Sequence, residues 1–192
     1  MYDRGASNGP TVPKTTSLRP RHVFLLYHFL CLNSSVVDYT LWPFWVDTHV
    51  YPPFRKKPDG KILDSYGTTI RCYPEVPEVL EKLHCEGYAL AVASRTPEIE
   101  AAKQLMSLFG WEKYFKYKQI FPGCKVAHFN KIKEQSGLDF SEMMFFDDEN
   151  RNIRDVNELG VTAVLVKNGV SKKVVDDAIQ EFVSNKRKQS VP

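Results

Sequence analysis

Cysteine is scarce in this chain of 192 residues: Cys31, Cys72, Cys85 and Cys124 stand 41, 13 and 39 positions apart. No C-x-x-C pair occurs and no histidine sits at zinc-finger spacing, which argues against a structural zinc site and against a small disulfide scaffold. Scattered thiols of this kind fit a reduced, cytoplasmic location. Long apolar runs are also missing. The longest, residues 23–32 (VFLLYHFLCL), is ten residues long, about half of the roughly 20 needed to cross a bilayer, so no membrane partner is expected. Lys14, Arg19 and Arg21 precede that run as they would in a secretory signal, but the leader is long and His28 interrupts the apolar stretch. An excess of one charge is absent too. With 26 basic and 23 acidic residues the net charge is +3, too small and too dispersed for a nucleic-acid footprint, so no nucleic-acid partner is expected. No Walker A loop or G-x-G-x-x-G supports nucleotide use, and no G-x-S-x-G elbow or cysteine–histidine signature supports acyl transfer. His49, His84 and His128 have no ligand-like spacing.

What is present is one domain's worth of patterned sequence, 43% hydrophobic, enough to bury a core without metal or disulfide. Residues 1–22 are rich in Pro, Gly, Ser and Thr and are expected to stay disordered. The chain is therefore divided into a disordered or unrelated extension (1–33), a catalytic domain (34–185) and a basic tail (186–192). In that tail Lys186, Arg187 and Lys188 read as a solvated helix end. Helical and strand patterns alternate from residue 74 onward. A helix opens at Pro77 and closes at Gly87, and YALAVAS follows as a buried strand. Ile99, Ala102, Met106 and Phe109 mark a second amphipathic helix. KYKQIFPG is a short strand and turn, His128–Ser136 a helix stopped by Gly137, and MMFFDD a strand. Arg151–Leu159 is a helix, VTAVLV a strand, and Val174, Ala178 and Phe182 stripe a last helix. Strands that are apolar on both faces and separated by helices predict a parallel sheet covered on both sides, an α/β Rossmann-like three-layer sandwich. Residues 44–73, with Pro52, Pro53, Pro58 and the turn PDG, break the rhythm and predict a small β-hairpin flap.

In an open parallel sheet, ligands bind beyond the carboxyl ends of the strands. The residues there are consistently polar. Val36-Val37 leads to Asp38, LAVA to Ser94 and Arg95, IFPGC to Lys125, and MMFF to Asp147 and Asp148. Carboxylates suit a hard divalent cation, while Arg, Lys and hydroxyl donors suit phosphoryl oxygens. Converging on one edge, these residues form an inventory for phosphoryl transfer. Each has a plainer reading alone, since Asp147 or Asp148 could cap the next helix and a single lysine is usually solvated.

The segments DYTLWPFWVDTHVYPPF, YPEVPEVLEKL, ASRTPEIEAAKQL, IFPGCKVAHF and FFDDENRNIRDV, in that order, resemble the eukaryotic magnesium-dependent phosphatase 1 family, a branch of the haloacid dehalogenase superfamily. The likeness covers about residues 37–183, and residues 1–36 do not share it. It implies a cap-less domain that hydrolyses phosphomonoesters with Mg²⁺ through an aspartyl-phosphate, acting on phosphotyrosine or sugar phosphates such as fructosamine-6-phosphate. In the implied scheme a first aspartate attacks phosphorus and a second, two residues on, protonates the leaving group and then activates water. Two positions apart on a strand, both face the same side. Carried over, Asp38 is the acid/base and a metal ligand through its carbonyl. Ser94 and Arg95 bind phosphate, Lys125 shields charge, and Asp148 binds Mg²⁺ with Asp147 beside it. A monomer suffices for such a site.

The family's nucleophile position is Val36, which has no oxygen for phosphorus or for Mg²⁺. Asn33-Ser34-Ser35 likewise replace what should be apolar central strand. Two alternatives follow: a catalytically dead, phosphate-binding isoform, or Asp38 itself as nucleophile in a D-x-T arrangement with Thr40, which a two-residue register shift would allow.

Overall fold

The computed structural model describes residues 24–27 and 40–189. Its central element is a five-stranded, all-parallel sheet in the order β6-β5-β1-β7-β8. The strands are β1 (Phe24–Tyr27), β5 (Ala89–Ser94), β6 (Phe115–Ile120), β7 (Met143–Asp147) and β8 (Thr162–Leu165). Helices α1 (Val76–Cys85), α2 (Ile99–Leu108), α3 (Lys125–Ser136), α4 (Asn150–Asn157) and α5 (Lys172–Gln189) connect or follow them. Successive side chains of a strand point to opposite faces, and the sheet's inner strands divide on that rule. Leu90, Val92, Met144 and Phe146 join a core with α1, α2 and α5. Ala91, Ala93, Met143 and Phe145 join a second core with Phe129 and Ile132 of α3 and Val156 of α4. The result is the expected three-layer α/β sandwich.

The sequence stops the helices where expected. Pro77 lies in the first turn of α1, where its missing N–H costs nothing. Gly137 ends α3 at φ 72°, its N–H donating to Lys133 O at 2.8 Å, a left-handed cap suited to glycine. α3 begins at Lys125, three residues before the start read from the sequence, because Cys124 is still extended (φ −78°, ψ 155°) and the helix opens at the next residue. α5 continues to Gln189, so residues 186–188 lie in its last turns, as a helix end.

Two expectations change. The first concerns the opening strand. Val36–Val37 lies outside the described residues, and the central position between β5 and β7 is filled by Phe24–Tyr27, from the stretch 1–33 set apart from the domain. The reason is burial: a central parallel strand is covered on both faces and must be apolar throughout. FLLY meets that demand, whereas Asn33-Ser34-Ser35 does not. The second concerns the flap. It is a three-stranded antiparallel meander, β2 (Arg55–Lys56), β3 (Ile62–Leu63) and β4 (Thr69–Ile70), with two turns rather than one hairpin. The PDG turn closes with Gly60 N–H donating to Lys57 O at 2.9 Å. At the second turn the Asp64 carboxylate accepts from the N–H groups of Tyr66 and Thr68 at 3.0 and 2.8 Å, an Asx-type turn. Gln104 of α2 ties the flap down, accepting from Phe54 N–H at 3.0 Å and donating to Phe54 O at 3.1 Å. No helix among the described residues is long and apolar enough to cross a membrane.

Candidate active site

Ser94 is the last residue of β5, Asp147 the last of β7 and Lys125 the first of α3, and Arg95 and Asp148 each follow their strand directly. Five of the six residues singled out by sequence therefore lie at the carboxyl edge of the sheet, flanking β1, where connections diverge to either side. Asp38, like Val36, lies outside the described residues.

Asp147 is fully buried. Its Oδ1 accepts from Glu149 N–H at 2.7 Å and from Asn152 Nδ2 at 3.0 Å, and Asn152 Nδ2 also approaches Oδ2 at 3.2 Å. Burial raises its carboxyl to about 6 despite the nearby positive charge of Lys125. Asp148 is different: its Oδ1 is buried and has no hydrogen-bond partner. Burial first, and then repulsion from Asp147, raises Asp148 to about 8. Glu149 is raised as well, by burial and then by Asp147.

Positive groups face this acidic turn. Lys125 is fully buried and donates from Nζ to Ala93 O at 2.7 Å. Burial lowers its ammonium to about 7, against the pull of Asp147, Glu149 and Asp148. Arg95 donates from Nη1 to Asn152 Oδ1 at 3.4 Å and lies 3.8 Å from a Glu149 carboxylate oxygen. Its Nε is buried without a partner. Asn152 is thus the bridge between Arg95 and Asp147.

The turn after β5 is held by hydroxyls. Ser94 Oγ accepts from Thr96 N–H at 3.3 Å, and Thr96 Oγ1 accepts from Glu98 N–H at 3.1 Å. Glu149, Asn152 and Thr96 escaped the sequence reading. Asn152 had a legible signal, since a helix starting just after a strand-end acid turns its first-turn side chains back towards that acid.

Such an edge pairs hard, incompletely satisfied carboxylate oxygens with guanidinium, ammonium and hydroxyl donors, the two halves of a cation–phosphate site. The donor set fits Mg²⁺ in type. Among the described residues no group of three or more His, Cys, Asp or Glu side chains is arranged to hold a metal ion. The cavity of about 520 Å³ between Pro52 and Pro53 of the flap and Glu98, Glu100, Ala101 and Gln104 is lined by none of the predicted site residues.

Comparison with known proteins bears on the same residues. A family model described as acid phosphatase matches residues 36–185. Human magnesium-dependent phosphatase 1 is 51% identical over 146 residues, covering 76% of this chain and 83% of the human protein. The chain belongs to the magnesium-dependent phosphatase family. A HAD-like hydrolase superfamily protein of Schizosaccharomyces pombe is 43% identical over 66% of this chain and 79% of its own length. This places the family within the haloacid dehalogenase superfamily. A solved structure, the N-terminal part of a Bacteroides fragilis protein containing a phosphatase domain complexed with Mg, superposes with a TM-score of 0.50. It is 17% identical, covers 78% of this chain and 37% of that one, and shows a shared fold. The span of the acid phosphatase model begins at Val36 and includes Ser94, Arg95, Lys125, Asp147 and Asp148.

Proposed function

We propose that this chain is a cytoplasmic, monomeric phosphomonoesterase domain of the magnesium-dependent phosphatase family, built for phosphotyrosine or small sugar phosphates, whose turnover is crippled by Val36. The observation that supports the reading best is the unpartnered Asp148 Oδ1 beside Asp147, at the same sheet edge as Ser94, Arg95 and Lys125. Buried carboxylates with raised proton affinity are what a hard cation would relieve.

In this reading Asp147 and Asp148 would hold Mg²⁺, with the backbone carbonyl of Asp38 as the further ligand that the family resemblance implies. When bound, the ion neutralises phosphoryl charge and fixes the substrate's orientation. Ser94 donates its hydroxyl and Arg95 its guanidinium to phosphoryl oxygens. Lys125 places an ammonium between those oxygens and the carboxylates, lowering their mutual repulsion. With an aspartate at position 36 to take the phosphoryl group, Asp38 would protonate the leaving oxygen as the ester bond breaks and then take a proton from the water that hydrolyses the aspartyl-phosphate. Val36 offers phosphorus no oxygen. A fall of roughly 10⁶ in turnover is the scale seen when a nucleophile is lost elsewhere.

The test is p-nitrophenyl phosphate hydrolysis with Mg²⁺ by the chain and by its Val36→Asp variant. The variant is expected to hydrolyse at least about 10³-fold faster, a small part of the nucleophile scale. Equal rates would overturn the proposal. Calorimetry with inorganic phosphate tests whether the binding half survives: saturable heat is expected in both proteins.

A further inference from the structure

His128 is buried with no exposed surface in the first turns of α3, three residues after Lys125 and so on the same helix face. Its ring stacks on Phe121 with centroids 4.0 Å apart and planes 11° apart. Nδ1 lies 2.8 Å from Cys124 O, at the cap of its own helix. Nε2 lies 2.8 Å from Ser94 O, at the end of β5, and 2.9 Å from Phe121 O, in the turn after β6. Ser94 O accepts Phe121 N–H as well, at 3.0 Å.

Two consecutive carbonyls at the end of β5 are therefore each held by an α3 side chain, Ala93 O by Lys125 and Ser94 O by His128. A neutral imidazole has one N–H. The side with two acceptors, from the ends of two strands, gains more from it than the side with a single acceptor at its own helix cap.

We propose that His128 is a positioning residue. Through Nε2–H it fixes the carbonyls of Ser94 and Phe121 against the start of α3, and so sets the phosphate-binding turn 94–96 at a defined height beside Lys125. This rests on the phosphatase reading for the meaning of that turn, but the clamp is a separate physical claim. Lys125 is the charged group facing the ring, and it sits on the same helix, so the clamp depends on the ring's donor rather than on an ion pair.

The replacements separate donation from filling. Glutamine's amide reaches the Nε2 position, asparagine's reaches only the Nδ1 position, and leucine fills space without donating. The full chain and its H128Q, H128N and H128L variants are compared by amide exchange at Phe121 and Thr96 and by calorimetric affinity for inorganic phosphate. The native ring is assigned by nitrogen-15 NMR. The expected result is an Nε2–H tautomer above pH of about 7.5. Exchange and phosphate dissociation constants are expected within about threefold of native in H128Q and raised by about tenfold or more in H128N and H128L, the scale of one lost hydrogen bond. A ring protonated on Nδ1, or equal behaviour of the glutamine and asparagine variants, would overturn the proposal. If the leucine variant fails to fold, the amide pair still decides. If the native chain binds no phosphate, the functional reading falls, while tautomer and exchange still settle the clamp.

Discussion

At the residue scale, the decisive contrast is between two adjacent aspartates. Asp147 is satisfied by Glu149 N–H and Asn152, while Asp148 keeps a buried oxygen with nothing to accept. An unpaired buried carboxylate costs stability unless a cation or proton compensates it. Asp148→Asn is therefore expected to stabilise the metal-free protein by about 1 kcal/mol, from relief of an uncompensated buried charge. Thermal melts in chelator check this, and a destabilised variant would contradict it. His128 gives the pH counterpart. Burial, and then Lys125, push it below the ordinary histidine range although three carbonyls favour its charged form. Between that lowered value and about 6.5 the unfolded chain binds the proton more readily, so stability falls as pH drops through that window. Asp147 and Asp148, raised by burial, act in the opposite sense over the same range, so the histidine's share is read as a difference between proteins: from pH of about 7.5 to about 5.5 the native chain should lose more, or gain less, melting temperature than H128Q. The sequence exposed Asp147, Asp148, Ser94, Arg95 and Lys125 because each follows an apolar run, and the fold then brings all five to one edge. Asn152 was legible only through its place in the first helical turn after a strand-end acid, and His128 was not legible, because its role depends on what faces it across the layers rather than on its neighbours in sequence.

At the element scale, the helices and the later strands were legible from periodicity and from punctuation by Gly87, Gly137 and Gly160. The first strand was not. Val36-Val37 looked suitable because it precedes Asp38, yet the slot between β5 and β7 selects for apolarity on both faces, and Phe24–Tyr27 fills it. A proline there removes an N–H from a strand paired on both sides, so Leu26→Pro is expected to cost about 3 kcal/mol or more and to broaden or abolish the thermal transition. The flap differs for another reason: its second turn is built by the Asp64 side chain rather than by a familiar dipeptide. Gln104 binds Phe54 from both sides, as a neighbouring strand would. Gln104→Ala should leave the sandwich intact, while the 50–70 segment becomes at least about tenfold more susceptible to limited proteolysis, the scale of two lost hydrogen bonds. Unchanged cleavage would mean that the flap is held by its apolar contacts alone.

At the scale of the whole molecule, the sheet separates two tasks. The larger core, with α1, α2 and α5, also takes in Leu41, Trp42 and the flap's Phe54, Ile62 and Ile70. The smaller core beneath α3 and α4 lies next to the charged residues, with Lys125, His128 and Asn152 projecting from those two helices. A cation bound at the edge would thus join β7 to whatever the chain supplies opposite it. Because a ligand that binds only the folded state stabilises it by mass action, Mg²⁺ at about a hundred times its dissociation constant should add about 2.7 kcal/mol. For a domain of this size that is a rise of roughly 5–10 °C in melting temperature. The rise should disappear in Asp148→Asn and, on the phosphatase reading, grow in Val36→Asp, since that substitution offers the cation a further carboxylate oxygen. Ca²⁺ and Mg²⁺ compared side by side distinguish a formed site from general screening, because screening would raise all variants equally. An unchanged Mg²⁺ response in Asp148→Asn would place the cation elsewhere and remove the physical basis for assigning catalysis to this edge.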